Sequence, residues 1–187
     1  MDASATPRVT PLTPDALTDD QRGLYDAITT GPRAQGRQHF ALTRSDGSLT
    51  GPFDAFLRAP AVGAALQELG AALRYRTDLD DRCRELAILL VAARWDSAFE
   101  RESHEAVARG VGFSEAEILA LRSADLAPFT GRELAVGRAV LALLDGDLDD
   151  AAWTTAVDAL GETVIFELTT LVGYYATLAL QLRVFRV

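Results

Sequence analysis

Residues 78–110 read DLDDRCRELAILLVAARWDSAFERESHEAVARG. From Leu86 to Ala93 every side chain is apolar. A helix of that composition is hydrophobic on all sides, so it has to be enclosed by other elements. Asp78 is placed to cap this helix over Leu79 to Arg94. The acidic residues Asp80, Asp81 and Glu85 near its start suit the positive end of the helix dipole. Asp96 and Ser97 then open a second helix, which ends at Gly110 or Gly112.

The flanking sequence repeats helical grammar in both directions. Residues 1–17, rich in Pro, Thr and Ala, read as an extended arm. Thr18-Asp-Asp-Gln21 is a capping box for a helix to Thr29, closed by Gly31-Pro32. A long loop over 31–51 holds His39 and the turn Ser45-Asp-Gly-Ser48. Gly51-Pro52 starts a short helix over Phe53 to Arg58. Pro60 to Tyr75 is amphipathic through Val62, Leu66, Leu69 and Leu73. Downstream, Ser114 to Glu117 and Thr130 to Glu133 are two further capping boxes, for helices to Arg122 and Leu144. Asp145-Gly-Asp147 is a turn, followed by helices over Asp150 to Leu160 and Glu162 to Arg183. Nothing shows sustained period-two alternation. The expectation is an all-α single domain over 1–187, a bundle of about eight or nine helices.

Composition narrows the partners. Hydrophobic residues make up 49% and charged residues 24% of 187, as in ordinary globular proteins. The formal net charge of −9 and the lack of any basic run argue against nucleic acid and against an anionic membrane surface. The single cysteine, Cys83, excludes an internal disulfide and a Cys-based zinc site. The N-terminus has no basic, apolar leader pattern. Leu168 to Leu182, bounded by Glu167 and Arg183, is shorter than the ~20 residues a bilayer needs. It reads as a buried helix of a soluble, cytoplasmic protein.

The chemistry concentrates in the central pair of helices. Ser97, Glu100 and His104 are spaced three and four apart, which puts them on one helical face. Glu100 can reach His104, and a carboxylate beside an imidazole favours the charged ring. Glu102 and Glu105 add to that field. Such a histidine exchanges protons near neutral pH. Glu85 stands at the mouth of the apolar run, where burial would raise its pKa and Arg82 or Arg84 would lower it. Plainer readings stand beside these: Ser97 as a cap, Glu85 as a first-turn acid, His104 as a solvated histidine, His39 as a loop residue and Cys83 as packing. Glu-x-x-x-His also presents two ligand types on one face. With two histidines in the chain and no second carboxylate–histidine pair, no metal site is expected.

Together these residues resemble the carboxymuconolactone decarboxylase family, which shares an all-helical fold with alkyl hydroperoxidase D. The resemblance rests on Gly51-Pro-Phe53, Leu79, Arg84-Glu-Leu-Ala-Ile-Leu89, Trp95-Asp-Ser-Ala-Phe-Glu100, His104, Gly110-Val-Gly112 and Leu171-Val-Gly-Tyr-Tyr175, and covers about 50–185. The peroxidase branch of that fold carries a Glu, a Cys-x-x-Cys and a His four residues on. By that resemblance Glu85 matches the proton-relay glutamate and His104 the histidine, while Ser97 and Glu100 occupy the two cysteine positions. Neither Ser nor Glu forms a disulfide, so dithiol peroxidase chemistry is excluded.

The resemblance implies a cofactor-free acid/base enzyme acting on a small carboxylated lactone, enol or related ring compound. Decarboxylation is the expected reaction, with isomerisation or dehydration open to the same residues. His104 would be the general acid/base, Glu85 its relay, and Glu100 its orienter or a second acid. Ser97, at a helix N-terminus, could meet a carboxylate or enolate. Arg74 and Arg94 would hold an anionic substrate, with His39 and Tyr174 as weaker candidates. The rival reading is a non-catalytic ligand-binding or assembly subunit. A homo-oligomer is expected, trimer or hexamer by the family, with a dimer open.

Overall fold

The computed structural model describes residues 7–31, 34–35 and 40–187. Among them are nine α-helices and one isolated antiparallel bridge, Thr43 with Leu49, and no strand. The protein is an all-α helical bundle. The chain forms two compact units, one of residues 1–72 with 180–187 and one of 73–179.

The first unit holds α1 (Asp19–Thr30), α2 (Pro52–Phe56) and most of α3 (Pro60–Tyr75). The Thr18–Gln21 capping box forms in both directions, at 3.4 and 3.0 Å. The N-terminal segment is less extended than its composition predicts. It contains a 3-10 turn at Pro14–Ala16 and is tied down at Leu12, whose N–H donates to the buried Asp54 carboxylate at 2.9 Å. The 45–48 turn closes with Arg44 N–H on the Ser48 carbonyl, 2.8 Å. In α3 the buried line passes through Gly63, Gly70 and Leu73, so Val62, expected on the apolar face, is 60% exposed. His39 lies outside the described residues.

The second unit is built around α4 (Asp81–Trp95), against which α5 (Ala98–Gly110), α6 (Glu115–Arg122) and α7 (Gly131–Asp145) pack; α8 (Asp150–Leu160) lies on α7. Every residue from Cys83 to Ala92 is buried. Full burial of a Leu or Ile is worth about 1.5–3 kcal/mol, so Leu86, Ile88, Leu89 and Leu90 alone explain why this helix is central. Its cap is Asp80 rather than Asp78, with the carboxylate accepting from Cys83 N–H at 2.8 Å. Asp78 N–H instead donates to Glu167 of α9 at 3.0 Å.

Two of the expected capping boxes do not form. Thr130 makes no side-chain cap, and Glu133 pairs with Arg82. Ser97 makes none, and Glu100 turns towards His104. Ser114 and Glu117 form theirs in full, although Glu117 gives its other oxygen to Arg82.

The last helix, α9 (Glu162–Phe185), has 24 residues, longer than predicted, and is not buried all round. Val164, Ile165, Leu168, Leu171, Leu178 and Leu182 face inward, whereas Phe166 is 72% exposed and Leu180 and Val184 are also open. By length and composition alone this helix could cross a bilayer, a test that the core helices of bundles also pass.

Candidate functional site

The turn between α4 and α5 sets the site. Asp96 ends α4 in the left-handed region (φ 47°, ψ 47°), a conformation Asp tolerates better than most residues. Ser97 N–H then donates to the Ala92 carbonyl at 3.0 Å and the chain re-enters a helix. This reversal lays α5 along α4 and brings His104 to Glu85.

Glu85, Glu100 and His104 are 0%, 3% and 6% exposed. His104 Nδ1 and Glu85 Oε2 lie 2.6 Å apart and share a proton. On the other side of the ring, Nε2 stands 3.5 Å from Glu100 Oε2, an ion-pair separation rather than a short hydrogen bond. One imidazole therefore bridges two buried carboxylates. A carboxylate on Nδ1 selects the tautomer and leaves Nε2 as the working nitrogen. Of the two arginines that could act on Glu85, Arg84 does so, with Nε 3.7 Å from Oε1. Arg82 turns away to Glu117, Glu133, the Gly112 carbonyl and the Phe113 ring.

The other predicted residues divide. Ser97 is buried beside this face without a cap bond. Arg74 is half-buried at the end of α3 and acts electrostatically on Tyr175. Tyr174 is buried, but its ring meets Tyr175 rather than the imidazole. Arg94 is exposed at the end of α4. Glu105, expected to add its field to His104, instead gives both oxygens to Arg122 at 2.7 and 2.8 Å. Those hydrogen bonds hold its carboxyl below the usual range.

Tyr175 is the residue that the sequence reading missed. Its ring packs edge-to-face on His104, 5.3 Å between centroids at 87°. Burial first, then the Glu100 and Glu85 carboxylates, push its phenol well above the ordinary value, so it stays a neutral proton donor. The helical spacing Leu168, Leu171, Tyr175, Leu178 along the inward face of α9 was the available signal.

Cys83 is buried, and burial with the neighbouring Asp80 carboxylate pushes its thiol up to about 12. It is not a reactive thiol. Among the described residues no three metal-binding side chains are placed to hold an ion.

The molecule is an all-α bundle with a buried carboxylate–imidazole–carboxylate row between its two central helices. Residues 60–145, from α3 to α7, match the carboxymuconolactone decarboxylase family. The matched stretch includes Glu85, Ser97, Glu100 and His104 but stops before Tyr175. No curated protein matches the chain.

Proposed function

We propose that this protein is a cofactor-free acid/base enzyme that decarboxylates a small carboxylated lactone, enol or related ring compound. The observation that carries the proposal is His104, enclosed and held at 2.6 Å by Glu85, with Nε2 turned towards a second carboxylate. In the reaction the bond between the ring carbon and the carboxylate breaks and CO₂ leaves. The electron pair passes into the adjacent carbonyl as an enolate. His104 Nε2–H then gives its proton to carbon and is recharged from solvent, with Glu100 orienting the ring. Glu85 stays ionised and stabilises the imidazolium that precedes transfer. In this reading Tyr175 and Ser97 would meet the developing negative charge, and Arg74 would hold the substrate carboxylate. Isomerisation or dehydration would use the same proton carrier.

The test is CO₂ release from a panel of small carboxylated lactones and enols. Substitutions His104→Gln and Glu85→Gln should each slow turnover about 10²–10⁴-fold. Turnover left intact in both variants overturns the proposal.

A second reading, a ligand-binding or assembly subunit, is favoured by a different observation. Leu134, Ala139, Leu148 and Ala156 line an apolar groove of about 550 Å³ between α7 and α8. Exposed Phe166, Leu180 and Val184 on α9 likewise support a homo-oligomer, a trimer, hexamer or dimer, in the cytoplasm. Sedimentation as a monomer at micromolar concentration would count against assembly.

A further inference from the structure

Arg84 Nε and Glu85 Oε1 are both buried and have no hydrogen-bond partner among the described residues, yet they stand 3.7 Å apart. The other end of the Arg84 guanidinium meets the Asp81 carboxylate, which is largely open to water. The other oxygen of Glu85 meets His104. The groups therefore form one row along α4 and into α5: Asp81, Arg84, Glu85, His104, Glu100. A neutral Glu85 would leave the buried guanidinium with only a solvated partner, and an uncompensated buried charge is costly.

We infer that Arg84 is a positioning residue for the Glu85–His104 pair, keeping Glu85 ionised so that the shared proton rests on Nδ1 and Nε2 is left free to take up and give the exchangeable proton. This rests on reading the pair as an acid/base centre, but it concerns where the proton sits, which can be measured without substrate. The other groups facing the pair are Glu100 from α5 and Tyr175 from α9, with Arg74 acting through Tyr175. The remaining nearby carboxylates are matched elsewhere: Glu117 and Glu133 by Arg82, Glu105 by Arg122 and Arg109.

The full chain has two histidines, so ¹⁵N-histidine NMR with a His39→Gln control isolates the His104 signals. The wild-type ring should be the Nδ1–H tautomer at neutral pH. Arg84→Met should shift the shared proton from Nδ1 towards Glu85 and lower the Nδ1–H population, because the cation that favours the ionised carboxylate is lost. Arg84→Lys should restore most of it. A wild-type ring in the Nε2–H tautomer overturns the inference with no variant needed. So does a folded Arg84→Met protein whose ring keeps the wild-type proton distribution. If the NMR outcome is as expected while His104→Gln leaves turnover intact, the proposed activity fails and the role of Arg84 stands.

Discussion

The two sides of the α4–α5 pair carry similar carboxylates in opposite circumstances. On one side Glu105 is matched by Arg122, and Arg82 gathers Glu117 and Glu133. Each negative charge there has a guanidinium within hydrogen-bond reach, and the proton has nowhere to go. On the other side Glu85 and Glu100 face one imidazole, and the nearest guanidinium is held off at 3.7 Å. Arginine does not release its proton at any working pH, whereas histidine does. The first side fastens helices together, and the second holds the groups proposed to exchange a proton with a ligand.

Four measurements separate the two sides. The largest effect belongs to His104→Gln and Glu85→Gln, about 10²–10⁴-fold in turnover, while Glu105→Gln should leave turnover within about twofold. Equal losses at Glu85 and Glu105 would erase the distinction.

Next comes acid stability. The folded pKa of Glu105 lies below its ordinary 4.5, so its contribution is complete above pH 4.5 and is lost as pH falls through the lowered value. Arg122 is about half exposed, so screening keeps the pair's contribution small. Arg122→Met should remove that increment at pH 7 and flatten the acid slope in urea titrations. An unchanged slope would show that the pair is not coupled to folding.

The two serine caps differ in the same way. Ser114→Ala should cost about 1 kcal/mol because its capping box is formed, and Ser97→Ala only a few tenths because its cap is not. Equal costs would mean that Ser97 caps α5 in solution. The smallest effect is at Cys83, where a thiol raised to about 12 should resist disulfide reagents at pH 8 until the protein unfolds. Rapid labelling of the folded chain would count against a buried, protonated thiol.

Much of this was legible in the primary structure. Leu86 to Ala93 carries no polar face, so its burial followed from composition, and the spacing of Ser97, Glu100 and His104 put them on one face. What failed were competitions. Asp78 and Asp80 are equally good caps by type, and the choice fell to Asp80 because Asp78 meets Glu167 across the fold. Thr130-x-x-Glu133 is a capping box by sequence, yet Thr130 makes no side-chain cap and Glu133 pairs with Arg82, far away in sequence.

By itself, then, the sequence determined the helices, the central place of α4 and the face shared by Glu100 and His104, because helical periodicity and apolar runs are local and need no partner. Only the tertiary structure decided that Glu85 meets Nδ1, that Arg84 rather than Arg82 stands behind it, and that Tyr175 closes the ring from α9. Those choices depend on distances across helices of a few tenths of an ångström to a few ångströms. No spacing along a single chain records them.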